Sequence, residues 1–379
     1  MPSAVEIFVP TEIILQIVAR VDRSLSGRER QRTLYNLCLV SHQWYSATLS
    51  FLYARPKLDG GNTYQKFTTI MCPPAGAPKK SKDLGTLVRR LDLSKLVHHS
   101  SNSMTARLIT RVKGNLEVFL APASGFSVNC LSPLSKCTQL RFLDLSLVHE
   151  SFSLEHLRKT IRSMERLVNL RTPRFMRITQ EGLEKEELKW PPKLQTLQLS
   201  GTIDVDMASF PWPPNLSSLS LKHCMNLSYE VMTGLLDKLS LEPNLKRLSI
   251  STYNRGLQPE CINLIPAYLP NLLYLGIPGD LVQDIFFTLI QCHKGGDLAL
   301  EVLEFGHTHT GDKLDLSMKS IVDTLHQGLP NLRAVGFHTM FGEFDDLDDA
   351  LLKHAEKRGD KLQISDETFE FDPGTYYFD

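Results

Sequence analysis

The residues that could carry catalytic chemistry are few, and their spacing does not favour it. His307 and His309 lie two residues apart, but the chain contains neither an HExxH motif nor a Cys/His quartet that would bind zinc. No GxxxxGKS, GxxxxGKT or GxGxxG element is present to hold a phosphate. Ser135 and Cys137 lack a local nucleophile signature, and the acidic run Glu343–Asp349 suits a helix start, where negative charge is favoured. The sequence therefore predicts a protein that is not an enzyme and that has no metal and no cofactor.

The charge of the chain argues against a nucleic-acid binder. The 379 residues include 42 basic and 42 acidic side chains, so the formal net charge is zero. The distribution is uneven, since residues 1–113 contain 17 basic and 7 acidic residues, whereas residues 343–379 contain 4 basic and 12 acidic residues. Two interpretations remain open: solvated surfaces at the two ends, or ends that meet different partners.

Cysteine usage and hydropathy indicate the compartment. The seven cysteines are scattered, odd in number and free of CxxC spacing, which predicts a reducing environment. Residues 1–10 have neither the basic region nor the long apolar region of a signal peptide. No stretch approaches the ~18 apolar residues of a membrane-spanning helix. We therefore expect a cytoplasmic or nuclear protein that binds no membrane and no nucleic acid.

A leucine repeat dominates the chain. Leucine accounts for 61 of the 379 residues, and the pattern Leu-x-x-Leu-x-Leu recurs with Ile, Val or Phe at some positions. Copies start at residues 88, 116, 140, 170, 194, 216, 245, 272, 300 and 332, with a mean spacing of about 27. The copies at 116 and 170 are weak, and several copies share a Pro-Asn lead-in. The pattern resembles leucine-rich repeats, whose period is roughly 20–29 residues with one short strand in each.

The repeat predicts a leucine-rich-repeat solenoid of the α/β class. Alternate apolar residues such as Leu219 and Leu221 bury one face of a short strand, and neighbouring repeats stack into one core. Segments between the strands carry helical periodicity, for example after Ser228, so we expect a horseshoe with a concave parallel sheet and convex helices. The Trp-Pro-Pro crossovers at residues 190–192 and 212–214 are predicted to be extended, because their repeats start only 22 residues apart.

The outward positions of the strands form the predicted client surface. They line the concave side of the sheet, and their mixture of charged, aromatic and small polar residues suits recognition of a folded protein or a peptide. The alternative is a plain solvated sheet face. The predicted substrate-binding residues are Phe142, Asp144, Arg174, Gln198, Lys222, Arg247, Tyr274, Glu304 and His338.

The first residues predict a separate helical module. Pro10 precedes the apolar-periodic run Ile13–Val21, which suits a helix with proline in its first turn. After a polar stretch, Asp22–Gln31, we expect helices over about residues 30–40 and 42–53, followed by a linker or mobile loop at residues 72–82. About 45 residues bury too little of their own surface to be comfortably stable, yet this module has apolar residues on more than one helical face. Surplus apolar surface predicts a binding site, and the alternative is a cap that docks on the first repeat.

Two sequence motifs stand out in this module. They are Val9-Pro10-Thr11-Glu12-Ile13-Ile14 with Ile17, and then Leu37-Cys38-Leu39-Val40-Ser41-His42-Gln43-Trp44-Tyr45. With these residues the module resembles an F-box. Val9 replaces the usual leading leucine, and the polar stretch is longer and more basic than the family pattern. The resemblance implies docking onto a Skp-type adaptor, which joins a cullin scaffold that carries a RING subunit. The implied adaptor contacts are Pro10, Ile13, Ile14, Ile17, Leu39, Val40 and Trp44, although some of these residues will hold the module's own core.

The two resemblances together give the predicted organisation and function. We expect the F-box module at residues 1–56, a linker or first cap at 57–86, about ten leucine-rich repeats at 87–342, and a terminal helix with an acidic tail at 343–379. Fungal-type F-box proteins with carboxyl-terminal leucine-rich repeats are the family that this arrangement resembles. The resemblance implies the substrate receptor of an SCF-type ubiquitin ligase, which binds a client protein for ubiquitination and proteasomal degradation. The alternative is a protein-interaction scaffold that is not coupled to ubiquitin transfer.

Overall fold

The chain divides into two compact units. The computed structural model describes residues 9–73, 83–96, 101–181, 189–293, 295–307, 317–342, 344–359 and 372–379. The amino-terminal unit is Met1–Glu150 with His156–Val168, and the carboxyl-terminal unit is Ser151–Glu155 with Asn169–Asp379. Within the described ranges, every helix is too short or too polar to cross a membrane.

Helices begin the chain and then alternate with strands. The described α-helices are α1 (Thr11–Ser24), α2 (Gly27–Cys38), α3 (His42–Ala54), α4 (Gly61–Met71), α5 (Asn102–Val112), α6 (Val128–Leu134), α7 (Leu154–Ile161), α8 (Tyr229–Ser240), α9 (Pro259–Asn263), α10 (Ile265–Tyr268), α11 (Asp284–Gln291), α12 (Met318–His326) and α13 (Asp345–Arg358). Short 3-10 turns lie at Leu84–Leu87, Gly279–Leu281 and Thr339–Phe341. In the carboxyl-terminal unit, helices of successive repeats pack against one another, α11 on α12 and α12 on α13.

The strands of each unit form parallel sheet. Their bounds are β1 (Arg90–Asp92), β2 (Val118–Leu120), β3 (Phe142–Asp144), β4 (Asn169–Arg171), β5 (Arg177–Thr179), β6 (Thr196–Asp204), β7 (Ser218–Met225), β8 (Arg247–Ile250), β9 (Tyr274–Pro278), β10 (Val302–Gly306), β11 (Ala334–His338) and β12 (Gly374–Phe378). In the amino-terminal unit β1 pairs with β2 and β2 with β3. In the carboxyl-terminal unit β4 pairs with β6, and each strand from β6 to β12 pairs with the next. The second half of β6 also pairs with β5.

The leucine pattern sets the register of these strands. Each strand contributes the middle apolar residue of its repeat to a buried row, so that one face of the sheet is the core and alternate residues face outward. In the carboxyl-terminal unit this row is Leu170, Leu197, Leu219, Leu248, Leu275, Leu303 and Val335. One strand in each repeat and parallel pairing are the defining features of the predicted leucine-rich-repeat fold, which is confirmed.

One repeat was assigned the wrong start. Leu170 pairs with Leu197, which is the second leucine of the copy that starts at residue 194. Leu170 is therefore also a second leucine, and its motif is Leu167-x-x-Leu170-x-Thr172, which starts at residue 167 and not at residue 170. The corrected start lies 27 residues from both neighbours, at 140 and 194. Thr172 occupies the last inward position of this repeat, where it is fully buried. Its hydroxyl is satisfied there, because it accepts a hydrogen bond from the Ser200 amide at 2.8 Å. Arg174 therefore lies beyond β4 and not on the strand.

The crossover between β6 and β7 is extended, as predicted. Buried tryptophan and phenylalanine side chains pack against this crossover. The Trp190 indole nitrogen donates to the Pro211 carbonyl at 2.6 Å, and the Phe210 and Trp212 rings meet edge to face with centroids 4.8 Å apart. Gly201 allows the close approach of β5, since a Cβ there would lie 2.1 Å from the Met176 carbonyl oxygen, and its φ is +114°.

The carboxyl-terminal end adds a strand that the sequence did not predict. The predicted final helix is confirmed, since α13 begins one residue earlier than expected and ends at Arg358. β12 then pairs in parallel with β11, and the Asp348 carboxylate accepts a hydrogen bond from the Thr375 amide at 2.6 Å. The predicted acidic tail Asp366–Asp379 lies outside the described residues up to position 371. Its last residues form β12.

The polar stretch Asp22–Gln31 is helical at all but two residues, which corrects the expected loop. α1 continues to Ser24 and α2 begins at Gly27, so two residues separate the helices. The buried Arg30 guanidinium explains this compactness, because it donates to the Asp22 carboxylate at 2.7 Å and to the Phe51 carbonyl at 2.8 Å. α4 was also not predicted; it lies within the segment expected to be a linker or cap, and residues 74–82 of the predicted loop lie outside the described part.

Candidate protein-interaction surfaces

The helical head formed by α1, α2 and α3 has a small core of its own. Its buried residues are Ile14, Val18, Leu34, Ala47 and Leu52, with Trp44 among the partly buried residues packed against them. Hydrogen bonds hold the starts of α1 and α3 in place. The Gln43 side-chain amide donates to the Val9 carbonyl at 2.9 Å, and Ser41 caps α3 by accepting from the Trp44 amide at 3.3 Å. The head is therefore a preformed element within the amino-terminal unit.

Large apolar side chains remain exposed on the outside of this head. Ile13 and Ile17 are 44% and 41% exposed, and they lie one turn apart on the same face of α1. Leu39 and Val40, in the turn that joins α2 to α3, are 68% and 61% exposed. The turn is held in place by a hydrogen bond from the Leu39 amide to the Asn36 carbonyl at 3.0 Å. We call these four residues the apolar surface of the head.

The structure separates the predicted adaptor contacts into two groups. Pro10 is exposed together with the four residues of the apolar surface. Ile14 is fully buried and has no side-chain surface to offer, whereas Trp44 is partly buried against the core. The reason is helical phase, because residues one position apart on α1 point about 100° apart. Sequence reasoning missed further exposed apolar residues on the head, which are Leu15, Tyr35 and Tyr45.

The predicted client residues mostly occupy outward positions on the strands. Phe142 faces outward on β3, and the outward positions of the carboxyl-terminal unit include Gln198, Lys222, Arg247, Tyr274, Glu304 and His338. Asp144 is different, since it is buried and its carboxylate accepts from both the amide and the hydroxyl of Ser146, at 2.9 and 2.6 Å. Asp144 therefore stabilises the turn after β3, whereas the sequence predicted that its carboxylate would bind a client. Arg174, as noted, lies beyond its strand.

Three of the predicted client residues form one cluster with a residue of β12. The Tyr274 and Tyr376 hydroxyls donate to the two oxygens of the Glu304 carboxylate, one to each. The Arg247 guanidinium lies over the Tyr274 ring, 4.4 Å from its centroid. Tyr376 was not foreseen because nothing in the leucine pattern extends to β12. We call these four residues the tyrosine–glutamate cluster.

Two glycines make room for this cluster. A Cβ on Gly276 would lie 3.0 Å from the Tyr274 hydroxyl oxygen, and a Cβ on Gly336 would lie 2.6 Å from the Tyr376 ring. The two rings therefore lie flat across the neighbouring strands to reach Glu304. Burial, together with the charge and the hydrogen bond of Glu304, raises the pKa of Tyr274 and of Tyr376 well above the usual tyrosine value. Both hydroxyls consequently stay protonated as donors at neutral pH.

Histidines and cysteines show no arrangement suited to metal binding in the part of the chain that the structure describes, where no group of three His, Cys, Asp or Glu side chains converges. The rings of His307 and His338 meet edge to face with centroids 4.9 Å apart, and His309 lies outside the described residues. Burial raises the pKa of Cys137 and of Cys224 to about 12, so these thiols stay protonated and unreactive at neutral pH.

Comparison with known proteins gives two relatives. No protein-family model matches the chain. The chain is 28% identical over 279 residues to F-box protein YDR306C of Saccharomyces cerevisiae, which covers 73% of this chain and 56% of that protein. It is 27% identical over 323 residues to the protein Pof5 of Schizosaccharomyces pombe, which covers 84% of this chain and 87% of that protein. The chain thus spans little more than half the length of the first relative.

Solved structures are less similar. An internalin of Listeria monocytogenes has a TM-score of 0.39 and 13% identity, with 75% of this chain and 84% of that chain covered. The complex of Rad7 and Elc1 in yeast has a TM-score of 0.43 and 14% identity, with 97% of this chain and 92% of that chain covered. TM-scores this low do not establish a shared fold, so the leucine-rich-repeat assignment rests on the strand register.

Proposed function

We propose that this chain, whose predicted resemblance to fungal F-box proteins is confirmed by its budding-yeast relative, is the substrate-recognition subunit of an SCF-type ubiquitin ligase. In this proposal the helical head docks on a Skp-type adaptor, and through it on a cullin–RING scaffold. The outward face of the repeats binds a client protein. The chain itself is non-catalytic, and its contribution is to hold a client lysine near the conjugating enzyme at high effective concentration.

The apolar surface of the head is the observation that carries the proposal. A head with its own core does not need Ile13, Ile17, Leu39 and Val40 for folding, and water contact with such residues is unfavourable. Because these side chains are 41–68% exposed, covering each of them with a partner would contribute about half of the roughly 1.5–3 kcal/mol that full burial of such a side chain is worth. The adaptor is the partner to which the F-box resemblance points, and a cytoplasmic or nuclear location would give access to it.

Coexpression with a Skp-type adaptor tests this proposal. We expect the wild-type chain and the adaptor to coelute as an equimolar complex in size-exclusion chromatography. The double substitution Ile17→Asp with Val40→Asp should abolish coelution, because it places two charges in the contact while leaving the core intact.

The control places one such charge on an exposed leucine outside the head. Leu241→Asp, in the carboxyl-terminal unit, should leave coelution unchanged, since Leu241 is exposed and distant in sequence from the head. An adaptor complex that survives Ile17→Asp with Val40→Asp would refute the proposed docking surface. A complex that forms with the adaptor but never with a cullin would instead favour the interaction scaffold that is not coupled to ubiquitin transfer.

A further inference from the structure

A bulge interrupts the outward face where β6 pairs with β7. Leu199 pairs with Leu221 and Gly201 with Cys224, so the single residue Ser200 faces two residues of β7. The extra residue is His223, whose φ of +58° lies in the left-handed region. Bulges re-aim side chains, and a non-glycine residue in this region costs free energy that persists where the surrounding structure imposes it.

A buried asparagine holds the bulge in this conformation. The Asn254 side-chain oxygen accepts a hydrogen bond from the Cys224 amide at 2.7 Å, and its nitrogen donates to the Leu221 carbonyl at 2.8 Å. The same nitrogen donates to the Ser251 carbonyl at 2.8 Å. Because Asn254 is fully buried, these bonds are protected from water and fix the positions of β7 and of the turn after β8. The strained histidine is therefore part of a rigid arrangement.

Aromatic and cationic side chains surround this histidine. The exposed Tyr253 ring stacks on the His223 ring, with centroids 5.0 Å apart and an interplanar angle of 28°. Burial, then the positive charges of Arg174 and Lys222, lowers the pKa of His223 to about 4. Lys222 is the neighbour of His223 on β7, and the Thr202 amide beside the bulge donates to the Met176 carbonyl at 2.8 Å, so the segment that carries Arg174 runs next to the bulge. Two positive charges and a stacked aromatic pair therefore meet at one place.

These two cations have no acidic partner within the described ranges. Arg174 is exposed and contacts the face of the Phe175 ring, 5.5 Å from its centroid, while Lys222 is partly exposed on β7. The ion pairs between described residues join side chains of the amino-terminal unit, and neither Arg174 nor Lys222 belongs to one of them. Like charges gathered without a counter-charge repel one another, so an added anion relieves the repulsion and gains attraction at the same time.

We propose that Arg174, Lys222, His223 and Tyr253 form a docking site for an acidic segment of a client protein, rich in aspartate and glutamate. Client carboxylates pair with the two cations, and the client backbone or apolar side chains lie on the Tyr253–His223 stack. Arginine and tyrosine are enriched where binding energy concentrates in interfaces. The neutral His223 donates or accepts a hydrogen bond without adding charge. This inference rests on the proposed client-binding function and names the client's chemistry.

Fluorescence anisotropy with the full-length chain tests the site. The probe is a short labelled peptide of alternating Asp or Glu and Ser or Gly, and its neutral counterpart has Asn and Gln at the acidic positions. We expect the acidic probe to bind about tenfold more tightly than the neutral one, and the preference to weaken as salt is added. Arg174→Glu with Lys222→Glu should remove the preference.

A matched double reversal controls for net charge. Lys193→Glu with Lys319→Glu changes the total charge equally at two exposed lysines outside the site, and it should keep the preference. An equal loss in both double variants would mean that the probe follows net charge only, which would overturn the proposal. So would unchanged binding in the Arg174→Glu, Lys222→Glu variant.

A glycine substitution separates binding from folding. His223→Gly removes the ring and suits a positive φ, so we expect the thermal midpoint to stay equal or rise while affinity for the acidic probe falls about threefold or more. Unchanged affinity would exclude the histidine from the site. Adaptor coelution is measured on the same samples. A wild-type chain that binds the acidic probe but not the adaptor would count against the proposed ligase role alone. A wild-type chain that binds the adaptor but not the probe would count against this site alone.

Discussion

Neighbouring apolar residues of α1 have opposite exposures, and this contrast carries the functional argument. Ile14 and Val18 point into the head, whereas Ile13 and Ile17 point to solvent. Both pairs have the same spacing, so the sequence pattern alone could not say which pair faces inward. Only the packing of α1 against α2 and α3 decides it. The division of the predicted adaptor residues into core and surface is therefore information that the three-dimensional structure adds.

Replacing one isoleucine from each pair should have unequal effects on stability. Ile14→Ala leaves a cavity in a small core and should lower the free energy of unfolding by about 2–4 kcal/mol. Ile17→Ala should change it by less than about 1 kcal/mol, because the side chain is 41% exposed and lies outside the core of the head. Urea denaturation followed by circular dichroism measures both. Equal losses would show that Ile17 is buried in solution.

The lowered pKa of His223 predicts a loss of stability in acid. The unfolded chain takes up a proton near pH 6.5, the ordinary histidine value, whereas the folded chain resists protonation until about pH 4. The folded state therefore binds fewer protons between these values, and stability should fall as the pH decreases from 6.5 to 4.

The control for this pH effect is His223→Asn, since asparagine tolerates a positive φ and does not titrate. Unfolding free energies at several pH values within this window give the comparison. The wild-type protein should lose more stability than the variant as the pH falls. Parallel curves for the two proteins would contradict the shifted pKa.

At the scale of elements, the leucine pattern predicts strands and their register better than it predicts helices and ends. Most strands lie where the pattern placed them, because an error of one residue would turn the leucines to solvent. Leu167 was missed because Thr172, a buried polar residue, ends its repeat. β12 was missed because it has no leucine at all: the residues that pair with the buried Val335 and Phe337 are Thr375 and Tyr377. Hydrogen bonds to Asp348 and pairing with β11 supply what the pattern lacks.

The fit of Tyr376 against Gly336 predicts that one added methyl group displaces β12. In Gly336→Ala the new carbon would lie 2.6 Å from the Tyr376 ring and 2.8 Å from the Glu304 Cγ. We expect a loss of about 1–3 kcal/mol and faster amide hydrogen exchange in Gly374–Phe378. Gly306→Ala is the control, since its Cβ would meet only the Ile277 carbonyl oxygen at 3.5 Å. Equal exchange in β12 of both variants would argue against the cluster as the element that holds this strand.

At the scale of the whole molecule, the sequence predicted best the features that follow a repeated pattern. It predicted least well the features in which single contacts determine the role of a residue. The solenoid class and the helical head followed from periodicity and from the F-box resemblance. The client surface did not follow in detail. Asp144 stabilises a turn, and two tyrosines donate hydrogen bonds to Glu304. His223 lies at a bulge that no sequence motif predicts. Such features depend on contacts between residues far apart in the chain.

The central claim is that a partner covers the apolar surface of the head, and isoleucine methyl resonances of the labelled chain report on it directly. Addition of a Skp-type adaptor should shift the Ile13 and Ile17 methyl signals and saturate at an equimolar ratio. The Ile14 methyl, buried in the core, should change little. Signals of Ile13 and Ile17 that stay in place at saturating adaptor would contradict the account.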